Sequence, residues 1–219
     1  MGEFVTFRCP DGVMARGYCA RPESARAGVV LLQEWWGINP QICSVADRLA
    51  GERYVVVVPD LYHGRVTSDE REANHLMTGL DWVGATSREV AGAVEYVRAS
   101  APRVGVMGFC MGGALSIITG VRVRGCDAVV SYYGIPSSEQ AEASALQVPF
   151  QGHFAMRDDW CTPKLVDDFG AAASETGAPV EIHRYEADHA FFNETRPSYD
   201  KTAATMAWIR TLKFLERYL

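Results

Sequence analysis

The sequence predicts one α/β domain over residues 1–219, built on a mostly parallel central sheet of about eight strands with helices on both faces. Three observations predict it. Short runs rich in Val, Ile and aromatic residues alternate with longer helix-compatible segments, the order in which parallel strands are joined by helical crossovers. A chain of 219 residues with 48% hydrophobic content supplies one continuous core and does not require a second domain. No repeat, low-complexity tract or linker interrupts the alternation.

The first two strands, at 4–8 and 13–19, read as a hairpin at the sheet edge. Pro10-Asp11-Gly12 between them supplies the turn, Pro presetting φ and Gly admitting positive φ. From Gly28 onward strand and helix take turns. Further strands are expected at 28–32, 55–59, 104–108, 128–132, 150–155 and 180–185, and helices at 40–52, 69–80, 87–99, 111–121, 163–177 and 197–217. The last helix carries Ala204, Trp208, Thr211, Leu212 and Leu215 at helical spacing, so it is expected to close the sheet.

Composition excludes several partners. With 21 basic against 27 acidic side chains the formal charge is −6, and no Lys/Arg-rich run is present to neutralise phosphates or anionic lipid, so neither nucleic acid nor membrane is expected as a partner. The N-terminus, MGEFVTFRCPDG, has no basic region followed by an apolar stretch, and the apolar runs at 29–32 and 55–58 are too short to span a bilayer. The expectation is a soluble, cytoplasmic protein. Cys9, Cys19, Cys43, Cys110, Cys126 and Cys161 are scattered without CxxC pairs, which predicts reduced thiols that pack as small hydrophobes, Cys110 excepted.

Cys110 stands apart because of its setting. Residues 103–118, RVGVMGFCMGGALSII, read as an apolar strand, a glycine-flanked polar residue and then a helical apolar pattern: a nucleophile elbow of the form G-x-C-x-G. Such a turn strains the backbone at the nucleophile and aims its side chain out of the carboxyl end of the sheet. A thiol at a helix N-terminus is favoured as thiolate by the helix dipole, and the N–H of Met111 is placed to stabilise an oxyanion. An acid and a histidine follow in the chain order that the α/β-hydrolase fold uses. The acid is Asp158 or Asp159, after the strand at 150–155, with Asp158 favoured, and the base is His189, after the last strand. His63, His75, His153 and His183 read as structural or solvated. A metal site drawn from His153, Asp158, Cys161 and His189 lacks recognised ligand spacing, so no metal or cofactor is expected.

The chain resembles the dienelactone hydrolase family over nearly all its length. The segments that carry the resemblance are Gln33-Glu34-Trp35-Trp36-Gly37-Ile38-Asn39, Val57-Val58-Pro59-Asp60-Leu61-Tyr62, Gly108-Phe109-Cys110-Met111-Gly112-Gly113-Ala114, Ser131-Tyr132-Tyr133-Gly134, Gly152-His153-Phe154-Ala155-Met156-Arg157-Asp158 and His189-Ala190-Phe191. The resemblance implies a monomeric cytosolic hydrolase with Cys110, Asp158 and His189 as triad. It also implies that Glu34 lies beside the resting thiol and deprotonates it when an anionic substrate arrives, and that the Trp35 N–H joins that of Met111 in the oxyanion hole. The family binds its substrate's carboxylate with two arginines; Arg71 is expected at the first position, and Asn193 stands at the second, with Arg196 able to compensate from the same loop. Trp36 and Trp160 stand where the family has aromatic pocket residues.

The expected substrate is therefore a small ester or lactone of dienelactone type, cleaved through an acyl-thioester. Two other readings stay open at this point. Asn193 in place of arginine suits a general carboxylesterase acting on other small acyl substrates, and a non-catalytic binding or redox-sensing relative would keep the cleft without turnover.

Overall fold

The computed structural model describes residues 2–219. Eight strands form one sheet: β1 (Glu3–Arg8), β2 (Met14–Ala20), β3 (Ala27–Leu32), β4 (Tyr54–Pro59), β5 (Val104–Phe109), β6 (Ala128–Tyr132), β7 (Phe150–Arg157) and β8 (Val180–Asp188), in the spatial order β1-β2-β4-β3-β5-β6-β7-β8. β3 to β8 run parallel, while β1 and β2 form the expected antiparallel edge hairpin. Strand order reverses at β3, which has β4 on one side and β5 on the other. The chain therefore leaves the carboxyl ends of β3 and β5 in opposite directions, and a crevice opens there, the place where open α/β sheets bind ligands.

The helices are α1 (Pro40–Gly51), α2 (Glu70–Gly79), α3 (Trp82–Ala85), α4 (Ala91–Arg98), α5 (Met111–Arg122), α6 (Pro163–Ser174) and α7 (Lys201–Tyr218). Alternate strand residues serve opposite faces. Val30 and Leu32 of β3 pack with Leu76, Val97, Leu115 and Phe169 from α2, α4, α5 and α6, whereas Val29 and Leu31 pack with Ile42, Leu49 and Phe214 from α1 and α7. Because both faces are covered, the central strands are apolar throughout; all six residues of β4 are buried. Each Val or Leu so buried contributes about 1.5–3 kcal/mol.

Two helices depart from expectation in ways that matter for the cleft. The segment expected as one helix at 87–99 begins earlier, where Asp81 caps α3 by accepting from the Gly84 N–H at 2.9 Å, and passes through a π-helical turn at Thr86–Val90 before α4. The Thr86 hydroxyl donates to the Trp82 carbonyl at 2.8 Å, a local bond that accompanies the irregular turn. The helix expected from residue 197 starts only at Lys201, because the Asp200 side chain accepts from the Ala203 N–H at 2.8 Å and sets the cap there. Pro197, Ser198 and Tyr199 remain irregular, tied down by Asp200 N–H to Phe191 O at 3.0 Å. All six cysteines are free, five of them buried. Among the described residues no helix is long and apolar enough to cross a membrane.

Candidate active site

Cys110 is the single residue between β5 and α5, with φ 54° and ψ −116°. A non-glycine residue adopts such angles only where its surroundings enforce them. Here the Cys110 N–H donates to Tyr132 O at 2.9 Å and its carbonyl accepts from the Ala114 N–H at 3.1 Å. The flanking glycines are required by close approach: a Cβ on Gly108 would lie 2.2 Å from Gly112 O, and one on Gly112 would lie 2.4 Å from Leu32 O. Strand β3 and the start of α5 can touch only because those positions have no side chain. Cys110, 7% exposed, lines a cleft of about 330 Å³ at the β3/β5 crevice. Met111 is the first residue of α5, so its N–H has no intrahelical acceptor and is available to an oxyanion.

The acid and base come from the loops after β7 and β8. Asp158 is buried; Oδ1 accepts from the N–H groups of Trp160 (2.8 Å) and Cys161 (3.0 Å), and Oδ2 lies 2.8 Å from His189 Nδ1. Since an ionised carboxylate only accepts, Nδ1 carries the proton and Nε2 is left toward the cleft. Asp159 is exposed, so the choice left open between the two aspartates falls to Asp158 as partner of His189. Burial alone raises the Asp158 pKa, but the bond and charge of His189 and the two N–H donors outweigh it, and the net shift is downward. For His189, burial opposes the charged form; Asp158 and the Cys110 thiol overcome it and push the imidazole up to about 10. Tyr133 packs edge-on against the imidazole at 5.0 Å and Trp160 lies 5.9 Å from it, which holds the ring's orientation.

Glu34 follows β3 and faces the same cleft, 6% exposed. Three donors hold its carboxylate: Tyr133 O–H to Oε1 at 3.0 Å, and Asn193 Nδ2 at 2.7 Å and Trp36 Nε1 at 3.1 Å to Oε2. Burial pushes its pKa above the ordinary carboxylate range, against the pull of those donors and of His189. The loop that carries it is pinned at Trp36, whose carbonyl accepts from the Thr67 N–H at 3.0 Å.

Trp35, Trp36 and Trp160 form the cleft wall, Trp35 meeting the other two edge-on at 5.0 and 6.1 Å. Arg196 lines the cleft, its guanidinium 3.9 Å from the Trp36 ring centre. Two substrate-binding expectations are corrected. Arg71 is exposed and stands outside the cleft lining, where its neighbour Glu70 is found instead. The Asp69 cap starts α2 at residue 70, and one step along a helix turns the side chain by about 100°, so residue 71 points away. Asn193 does not line the cleft: it is 1% exposed, its amide donates to Glu34, and its Oδ1 accepts from the N–H and hydroxyl of Thr195 at 3.0 and 2.7 Å.

Sequence reasoning missed Tyr133 and Glu70. Tyr133 has φ 40° and sits within Ser131-Tyr132-Tyr133-Gly134, a segment already carrying the family resemblance, so the signal was present without a role attached. His153 is a core residue, bonded to Tyr185, Gln151 and Thr211, and burial drives its pKa down. No group of three His, Cys, Asp or Glu side chains among the described residues could hold a metal ion. A larger cavity of about 510 Å³ lies beside the hairpin, with the Cys9 thiol in its wall; burial and Glu89 raise that thiol's pKa, and neither Asp158 nor His189 borders it.

Comparison with known proteins points the same way. A model of the dienelactone hydrolase family matches residues 15–219. Among curated relatives, protein usf of Aquifex pyrophilus is 33% identical with both chains covered in full, and carboxymethylenebutenolidase 1 of Cupriavidus pinatubonensis is 30% identical over 90% of this chain and 89% of its own. A crystal structure assigned as a dienelactone hydrolase from Klebsiella pneumoniae superposes over 100% of both chains with a TM-score of 0.87 at 24% identity. A dienelactone hydrolase-like promiscuous phosphotriesterase from metagenomic libraries does so over 99% of this chain and 98% of its own, with a TM-score of 0.79 at 20% identity. The two structures share the fold.

Proposed function

The chain belongs to the dienelactone hydrolase family and is a carboxylic ester hydrolase of ester or lactone type, and from that premise we propose that it cleaves a small ester or lactone through a covalent thioester on Cys110. One observation carries the reading: a thiol on a strained strand-to-helix turn shares a cleft with an imidazole whose Nδ1–H is held at 2.8 Å by a buried carboxylate.

The chemistry runs in two halves. His189 Nε2 takes the thiol proton, and the sulfur attacks the carbonyl carbon while the C=O electron pair moves to oxygen. The N–H groups of Met111 and Trp35 receive that oxyanion. Its collapse breaks the ester C–O bond, and the leaving oxygen takes the proton from the imidazolium. Water, giving a proton to His189, then attacks the thioester; the second collapse releases the carboxylic acid and returns the proton to sulfur. Asp158 stays ionised throughout and orients the imidazole. Glu34, made more basic by burial, is a second acceptor for the thiol proton. The same reading takes the enzyme as a cytoplasmic monomer.

The position of Asn193 favours a general carboxylesterase over a strict dienelactone enzyme. Its amide is occupied by Glu34 and Thr195, which leaves Arg196 as the guanidinium for a substrate carboxylate. Turnover of a neutral aryl ester with none of the dienelactone selects the former.

Mass spectrometry of protein quenched during hydrolysis of a p-nitrophenyl ester tests the mechanism. The acyl mass is expected on the peptide containing Cys110, and Cys110→Ala should lose both adduct and turnover at an unchanged melting temperature. Full activity in that variant would overturn the scheme.

A further inference from the structure

The mouth of the cleft holds a second charged pair. Arg196 Nη2 lies 3.4 Å from Glu70 Oε1, and both side chains line the cleft. The Arg196 guanidinium lies over the Trp36 ring at 3.9 Å, and the loop that carries it is held by its backbone N–H donating to Asn193 O at 3.0 Å. Glu70 is the first residue of α2, and its side chain is 75% exposed against 26% for Arg196. Among the described residues that line the cleft, Arg196 is the one with a permanent positive charge. The lining carries two carboxylates, Glu34 and Glu70, against this guanidinium and the His189 imidazole, whose pKa is pushed up to about 10; at the mouth Glu70 and Arg196 face each other as a pair. The indoles of Trp35, Trp36 and Trp160 supply much of the remaining wall.

We propose that Glu70 is a specificity-determining residue: by pairing with Arg196 it cancels the guanidinium's charge and biases the cleft toward planar, apolar acyl groups that carry no carboxylate. The inference rests on the reading of this cleft as the ester-binding site, and it adds a residue, a direction and a substrate class to it. A substrate carboxylate reaching Arg196 meets Glu70 within several ångströms. Coulomb repulsion at that range, at an effective dielectric between protein and water and with salt screening, corresponds to about a three- to tenfold penalty in affinity.

The test is made by binding, so that it does not depend on turnover. In the Cys110→Ala background, dissociation constants are measured by tryptophan fluorescence for two aryl esters of equal size, one neutral and one with a carboxylate on its acyl end. Glu70→Gln is expected to raise the ratio of Kd(neutral) to Kd(carboxylated) about three- to tenfold. The gain should shrink in 0.5 M salt, and adding Arg196→Gln should abolish it. A ratio that stays level or falls overturns the proposal, as does a gain that survives loss of Arg196; so does failure of both esters to bind. If the ratio shifts as expected while the wild-type protein hydrolyses neither ester, the covalent mechanism fails and the charge selectivity stands.

Discussion

Replacing Gly112 by alanine separates the geometry of the elbow from simple helix propensity. Gly112 is the second residue of α5, and at an unconstrained helical position Gly→Ala stabilises by about 0.5–1 kcal/mol. Here the new Cβ would lie 2.4 Å from Leu32 O and 2.5 Å from Gln33 O, both backbone atoms of the adjacent strand and its exit. To reach the shortest contacts that side chains tolerate, helix and strand must part by more than about half an ångström, since a packed interior offers no slack. Overpacking of this kind costs about 1–3 kcal/mol, roughly 3–10 °C of melting temperature in a chain this long. The shift falls between Cys110 and the loop bearing Glu34 and Trp35, and a misplacement approaching 1 Å there costs about 10- to 100-fold in kcat/KM. The assay pairs p-nitrophenyl ester turnover with a thermal melt, with Gly51→Ala as control because nothing lies within 4 Å of its added Cβ. A Gly112→Ala enzyme that melts like wild type and keeps a third or more of its activity would refute this account of the glycines.

Asp158→Asn should cost about 10³- to 10⁴-fold in kcat/KM, because an amide cannot hold Nδ1–H and stabilise the imidazolium together. The same variant should flatten stability against pH on both flanks, read as urea midpoints. The lowered Asp158 pKa contributes stability above its unfolded value near 3.8 that is lost as pH falls through the folded one, and the raised His189 pKa contributes stability below 6.5 that is lost as pH rises through about 10. Asn193→Leu should destabilise by about 1–3 kcal/mol at pH 7, since Glu34 Oε2 keeps only the Trp36 donor. That loss should narrow in acid, as a protonated Glu34 asks for fewer donors; an equal loss at all pH values would place the cost in packing alone.

The parts of the site that could be read from the sequence are those where local chemistry decides structure. Cys110 announces itself because a strand-to-helix turn tight enough to hold φ 54° needs glycine on both sides, and Gly108 and Gly112 are there. His189 follows from chain order. Arg71 could not be read correctly because its orientation depends on helix phase: the Asp69 cap, a matter of one residue, decides whether 70 or 71 faces the cleft. Asn193 was visible as a departure from the family's arginine, but its partner Glu34 lies 159 positions away and no local pattern joins them. The π-helical turn at Thr86–Val90 was illegible for a similar reason: beside it, Gly92 of α4 packs so closely on the hairpin that an added Cβ would lie 2.9 Å from Arg8 O.

What distinguishes one thiol among six is position rather than residue type. Burial pushes Cys126 up to about 12 and Cys43 to about 11, and it raises the Cys161 thiol as well, with the Asp158 charge adding to the shift. None of those three sulfurs lines the cleft that holds Cys110 and His189. Cys110 shares its surroundings with His189, which burial alone would keep neutral and which Asp158 makes a ready proton acceptor. The β3/β5 reversal supplies the opening, the strained turn lifts the sulfur into it, and α5 begins immediately beneath with unpaired N–H groups. A thiol moved one residue along β5 would keep the helix dipole nearby, yet the strand's alternation would turn it into one of the two hydrophobic cores. In the proposed mechanism it is the topology, more than the acidity of any single group, that suits residue 110 to act as nucleophile.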